Sequence, residues 1–80
     1  GNNNQILLET LWEVYGDKIA YIERIELTNF DSLLEIFPKG DMSGFIVGAK
    51  GRNIQQLEQK LNEKNFQVKC VVGINDTKEI

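Results

Sequence analysis

The segment of residues 44–54, GFIVGAKGRNI, places the strongest constraint on what this chain can form. Glycines at positions 48 and 51 allow the backbone to turn sharply there, or to approach another group closely. Lys50 places a positive charge between them, and Gly51 stands at the start of a predicted helix. Free N–H groups and the helix dipole favour an anion at such a position. The segment therefore predicts a contact with a phosphate group, such as that of a nucleic-acid backbone.

Apolar spacing divides the chain into short helices and strands. Helices are predicted over residues 5–15, 42–47 and 51–63. Strands are predicted over the second half of residues 18–29 and over residues 33–37 and 66–72. Residues 29–32 form the predicted turn between the first two strands. Asn4 and Asp41 are the expected N-caps of the first two helices, because their side-chain oxygens can accept backbone N–H groups.

The same spacing predicts which side chains form the core. Leu57 lies in the middle of an apolar stripe on the third helix. Trp12 is expected to anchor the first helix in the core rather than to stack on a base. Cys70 lies on the apolar face of the last strand and is expected to be a small core residue rather than a nucleophile. Glu58 is expected on the solvated face of the third helix.

Residues 46–54, IVGAKGRNI, resemble the signature of the KH (K homology) domain. The pattern of that family is an apolar pair, Gly-x-x-Gly with a basic residue between the glycines, two further residues and an apolar residue. The loop of a KH domain clamps a short run of single-stranded nucleic-acid backbone. The resemblance implies binding by the loop residues Gly48, Ala49, Lys50, Gly51 and Arg52, together with the apolar residues Ile46, Val47 and Ile54.

The predicted order of helices and strands matches the prokaryotic type (type II) of KH domain. The resemblance implies an α+β fold, in which a three-stranded sheet carries three helices on one face in the order α-β-β-α-α-β. It covers residues 5–73, leaving residues 1–4 as a polar lead-in and residues 74–80 as a tail or the stub of a linker. Residues 29–32 would be the variable loop of the family. That loop is short here, so one wall of the binding groove is expected to be low.

Composition limits both the size and the charge of the domain. Eighty residues make one domain. The net charge of −3 at pH 7 is unfavourable for binding a polyanion. However, residues 1–38 contain seven acidic and two basic side chains, whereas residues 39–80 contain seven basic and five acidic ones. The positive charge lies in the half that contains the glycine segment, so we expect weak rather than strong nonspecific nucleic-acid binding.

Several function classes lack their usual residues. The chain has no histidine, and it contains no P-loop, metal-ligand cluster or nucleophile–base pair. We therefore expect no enzymatic activity, no cofactor and no bound metal. The single cysteine cannot form an internal disulfide, which is typical of a reducing compartment, so the expected location is the cytoplasm. No apolar run approaches the ~20 residues that span a membrane, and no membrane contact is expected.

Two functions remain open. The first is binding of about four nucleotides of single-stranded RNA or DNA through residues 48–51, as a module of a larger protein. The second is a protein-interaction or structural module that keeps the fold without binding nucleic acid, packed for example on a neighbouring domain of the same parent chain. The acidic first half, Ala49 and the short loop at residues 29–32 favour the second function. A positive groove beside Lys50 and Arg52 would favour the first, and an acidic or apolar groove the second.

Overall fold

A computed structural model describes residues 2–74, which alternate between helices and strands. Helices α1, α2 and α3 comprise Asn2–Tyr15, Ser43–Val47 and Arg52–Glu63. Strands β1, β2 and β3 comprise Ile22–Thr28, Leu33–Pro38 and Lys69–Val72. Turns of 3-10 helix at Gly16–Tyr21 and Ala49–Gly51 precede β1 and α3. Gly1 of the expected lead-in and residues 75–80 of the expected tail lie outside the described residues.

The three strands form one mixed sheet with β2 at its centre. Strand β2 pairs antiparallel with β1 and parallel with β3. A parallel pair needs a crossover connection, and α2 and α3 provide it between β2 and β3. Leu34 and Ile36 of β2 are completely buried, as expected for side chains that share the inner face of a central strand. The predicted α+β class with a three-stranded sheet is confirmed.

A single apolar core joins the sheet to the helices. Its buried side chains are Leu7, Leu11, Tyr15, Leu34, Ile36, Ile46, Leu57, Leu61, Phe66, Val68 and Cys70. The Tyr15 hydroxyl donates a 2.7 Å hydrogen bond to the backbone carbonyl of Ile46, which fixes the end of α1 against α2. Burial raises the pKa of Tyr15, so its hydroxyl remains a donor across the ordinary pH range.

Both predicted N-caps are wrong. Helix α1 begins at Asn2, so Asn4 lies inside the helix, where its exposed side chain needs no buried partner. Helix α2 follows Met42 and has no side-chain cap. Backbone groups close that turn instead, because the N–H of Met42 bonds to the carbonyl of Lys39 at 2.9 Å. The Asp41 side chain therefore has no capping role there.

Strand β3 is shorter than predicted, because the chain between α3 and Lys69 is held by α3 rather than by the sheet. Phe66 and Val68 are buried as expected but precede the strand. The N–H of Phe66 bonds to the carbonyl of Leu61, and the N–H of Val68 bonds to the side-chain oxygen of Asn62. Sheet pairing begins only where the N–H of Lys69 reaches the carbonyl of Ser32.

The prediction that Trp12 anchors α1 in the core is wrong. The Trp12 side chain is 59% exposed, and that of Leu8, one turn earlier, is 62% exposed. Thr10 is fully buried instead, with its hydroxyl donating to the carbonyl of Ile6 at 2.7 Å and accepting from Lys64, the residue after α3, at 2.9 Å. The inner face of α1 is therefore centred on Thr10 and Leu11, and Trp12 is rotated about 100° beyond Leu11 towards solvent.

Candidate nucleic-acid interface

The glycine loop joins α2 to α3 through a backbone that suits glycine at both of its ends. Gly48 has a φ of 79° and a ψ of 166°, a combination found almost only in glycine. Lys50 and Gly51 are both left-handed, with φ of 56° and 76°. A 3.0 Å bond from the Gly51 N–H to the Gly48 carbonyl closes the turn. Lys50 is therefore held at the tip of a tight loop at the start of α3.

Gly48 is also required because its neighbour leaves no space for a side chain. A Cβ atom at this position would lie 2.7 Å from Cγ and 2.8 Å from the backbone nitrogen of Asn53. The Asn53 side chain is held in place by a 2.9 Å hydrogen bond that it donates to the carbonyl of Phe45 in α2. Asn53 thus fastens the start of α3 to α2, a role that sequence reasoning missed. At Gly51 a Cβ would meet only Gln55, at 3.8 Å, so there the backbone angle is the main constraint.

The eight predicted site residues fall into three groups. Ala49, Lys50 and Arg52 are exposed, and the two glycines between and beside them are half-buried. Ile46 is completely buried and belongs to the core, so its side chain offers no surface to a ligand. Val47 and Ile54 are half-buried, but they line different cavities. Of the three apolar site residues, Ile46 is thus withdrawn into the core, whereas Val47, directly before Gly48, and Ile54, three residues after Gly51, reach different cavities on the two sides of the loop in sequence.

A groove of about 530 Å³ runs between α3 and β3. It is lined by Ile54, Gln55, Glu58, Gln59, Asn62, Glu63, Lys69 and Cys70. Ile54 and Gln55 lie within the first turn or so of α3, so the groove begins close to the glycine loop. Val47 instead borders a second cavity of about 460 Å³, which is also lined by Pro38, Gly40, Ser43, Val72, Gly73 and Ile74. The groove along α3 and β3 therefore starts from the α3 side of the loop, and the second cavity reaches the loop from the α2 side through Val47.

The prediction that Glu58 lies on the solvated face of α3 is wrong. Its side chain closes the free edge of β3. One of its oxygens, Oε1, accepts the backbone N–H of Cys70 at 2.9 Å. This N–H needs a side-chain partner because β3 is an edge strand of the sheet. Burial, together with the nearby Glu58 charge, raises the pKa of Cys70 to about 12. Cys70 is therefore a protonated core residue, as predicted, and Glu58 is a fixed carboxylate in the groove.

The charges around the groove are mixed. Lys50 and Arg52 are exposed in the loop and at the start of α3, whereas Glu58 and Glu63 line the groove together with Lys69. Two further lysines, Lys60 of α3 and Lys64 directly after it, are paired with Glu13 of α1, at 3.8 and 2.9 Å. The basic excess of the second half is thus partly neutralised by α1. Positive charge at this surface is concentrated at the loop.

The hydrogen bond from Lys64 lowers the pKa of Glu13, and the charges of Lys64 and Lys60 act in the same direction. Glu13 therefore remains ionised at neutral pH, which keeps both lysines engaged with α1. Among residues 2–74, no group of three or more acidic or cysteine side chains is placed to hold a metal ion. Within the same residues, no helix combines the length and the apolar character that crossing a membrane requires.

The glycine loop and the groove along α3 together form the candidate functional surface. Its defining parts are the exposed Lys50 and Arg52, the two constrained glycines and the adjoining groove that contains Glu58. Searches of protein-family models, of curated proteins and of solved structures give no significant match to this chain.

Proposed function

We propose that this chain binds a short stretch of single-stranded nucleic acid, RNA in particular, in the manner of a prokaryotic-type KH domain. The observation that carries this proposal is the backbone of residues 48–51, where two glycines and a left-handed Lys50 present an exposed cation at the start of α3. The order α1, β1, β2, α2, α3 and β3 around a mixed sheet also supports it.

In this proposal the loop holds phosphates and the groove accepts bases. The N–H of Arg52 bonds to the carbonyl of Ala49, but α3 has no side-chain cap, so the N–H groups that follow in its first turn can face an anion. Lys50 and Arg52 add two positive charges beside them. Bases attached to the held phosphates would lie over Ile54 and the rest of the groove along α3. Only about two phosphates are neutralised, so the affinity should decrease with salt with a shallow logarithmic slope of roughly −1.4.

The test is an NMR titration of the ¹⁵N-labelled chain with randomised single-stranded RNA and DNA at low salt. Shifts should concentrate at residues 46–54 and along the groove. The double variant Ala49→Asp, Lys50→Asp keeps both glycines and places two carboxylates where a phosphate would sit. Repulsion between such close charges is about 1 kcal/mol in water and more near a protein surface. Binding should therefore fall at least about tenfold.

A matched control is available outside the loop. Lys18 and Ala20 are both exposed in the 3-10 turn before β1. Lys18→Asp with Ala20→Asp makes the same change in residue types and net charge, so it should weaken binding much less than the loop variant. Equal losses in both variants would show that only net charge matters. An absence of oligonucleotide-induced shifts at residues 46–54 would reject the proposal.

Two observations favour a second function, protein interaction without nucleic-acid binding. Leu8 and Trp12 expose large apolar surfaces on α1, and exposed apolar patches often mark contact sites. Glu58 and Glu63 also make the groove less suitable for a polyanion than a basic groove would be. The titration separates the two functions, because an interaction module would show no shift with any oligonucleotide.

A further inference from the structure

The carboxylate of Glu58 is the least expected group in a groove proposed to contact nucleic acid. A carboxylate repels phosphates, so it would weaken binding to the backbone. Yet Glu58 is held in place, because its Oε1 accepts the Cys70 N–H at 2.9 Å. Its other oxygen, Oε2, accepts no hydrogen bond from any group in the part of the chain described here. The groove therefore presents a fixed, partly unused acceptor.

A fixed acceptor requires a donor, and in a single strand of RNA the donors are the ribose 2′-hydroxyls and the N–H groups of the bases, of which only the bases differ between nucleotides. Phosphate oxygens are acceptors only and gain nothing from Glu58. Base edges carry N–H groups, and Glu or Asp side chains are known to accept hydrogen bonds from them. Glu58 lies roughly 10 Å along α3 from Gly51, seven residues at 1.5 Å each. A base next to a phosphate held by the loop is the group positioned to meet it.

We propose that Glu58 makes the groove selective for guanine, an inference that rests on the proposed nucleic-acid binding. Guanine is the base with two adjacent donors on its pairing edge, N1–H and the N2 amino group, and a carboxylate matches them with its two oxygens. Each carboxylate oxygen has two lone pairs, so Oε1 can retain the Cys70 N–H. Such charge-assisted double contacts are stronger than single neutral ones.

The other bases match this acceptor less well. Cytosine and adenine each place one amino donor beside a ring nitrogen whose lone pair would face the carboxylate. Uracil has a single N–H between two carbonyl oxygens. The amide of Gln55, in the same groove, can donate to O6 of guanine. The amide of Gln59 already donates to Glu63 at 3.3 Å, which leaves Gln55 as the better placed donor of the two.

The experiment compares five-nucleotide RNAs that carry uridine at every position except the central one. The central nucleoside is guanosine, inosine, adenosine, cytidine or uridine, and affinity is measured by fluorescence anisotropy at fixed low salt. Guanine should bind about tenfold tighter than uracil, the scale of one good two-point base contact. Inosine lacks the N2 amino group and should lose most of that gain. N1-methylguanosine should lose it as well, and this test needs no protein variant.

The protein arm uses Glu58→Gln and a matched control. The glutamine oxygen can still accept the Cys70 N–H, whose amide NMR shift reports that the edge remains closed. The preference for guanine should disappear, whereas affinity for the all-uridine RNA should stay equal or increase by up to about threefold as a negative charge is removed. Glu63→Gln makes the same charge change in the same groove and should keep the preference.

The outcomes separate this inference from the function on which it rests. Equal affinity for all five RNAs, or equal loss of preference in the two glutamine variants, would overturn the role of Glu58 while nucleic-acid binding stands. Retention of the guanine preference in Glu58→Gln would overturn it too. Failure of every RNA to bind would overturn both.

Discussion

Helices α1 and α3 pack against each other, but the buried face can be predicted from the sequence much better for α3 than for α1. Helix α3 has three apolar side chains, and all of them lie on one stripe whose members Leu57 and Leu61 are completely buried. Helix α1 has apolar side chains around most of its circumference, and Leu8 and Trp12 remain exposed. The contrast shows that a pattern is informative when apolar residues are few.

The reason is geometric. A helix at the surface of a small domain can bury only one face, about a third to a half of its circumference. In α3 the apolar residues fill that face and no more. In α1 the apolar residues cover more than one face, so only some of them can be buried. The buried side chains are those of Leu7, Leu11 and Tyr15, together with Thr10. Thr10 can be buried although it is polar, because its hydroxyl forms hydrogen bonds within α1 and with Lys64.

The largest expected effect contrasts one leucine from each helix. Leu57→Ala in α3 should reduce the free energy of unfolding by about 2–5 kcal/mol, because a completely buried side chain leaves a cavity. Leu8→Ala in α1 should cost no more than about 0.5 kcal/mol, since most of that side chain already contacts water. Urea denaturation of both variants measures the difference. Similar losses would show that the outer face of α1 is covered in solution.

The next effect concerns the two glycines that lead into α3. Gly48→Ala should reduce the free energy of unfolding by about 3 kcal/mol, because its backbone angles disfavour any side chain and its Cβ would meet Asn53. Gly51→Ala should cost only about 1 kcal/mol, the price of a left-handed alanine in open space. Thermal denaturation of both variants gives the comparison. If Gly51→Ala were the more damaging change, the loop would differ from the one described.

The sequence was informative where a residue acts through its own type or spacing. Leu57, the two glycines and the core position of Cys70 could be predicted in this way. Glu58 and Asn53 could not, because their roles depend on which distant backbone groups they meet. Glu58 bonds to a residue 12 positions away, and that pairing exists only once α3 lies against β3. The one signal for Glu58 was its place beside the apolar stripe of α3, four residues after Ile54.

The smallest expected effect tests the contact between the two helices directly. The hydrogen bond from Lys64 holds the pKa of Glu13 below its ordinary value. A carboxylate whose pKa is lowered by folding adds stability above its unfolded pKa, and this contribution is lost as the pH falls through the lowered folded pKa. Acid should therefore loosen α1 from α3 in that range. Glu13 is exposed to solvent, so the pKa itself is a better measure than the stability.

A carbon-detected NMR titration of the Glu13 carboxyl group provides this measurement. Lys64→Met removes the hydrogen bond and the nearer charge, so the pKa of Glu13 should rise towards its ordinary value, with Lys60 at 3.8 Å retaining part of the shift. Lys39→Met, which changes an exposed lysine between β2 and α2, should leave the titration of Glu13 unaltered. An unchanged Glu13 titration in Lys64→Met would mean that the pair does not persist in solution. Helix α1 would then be held by its apolar face and the hydrogen bonds of Thr10 and Tyr15, and Glu13 would not neutralise the charge of Lys64.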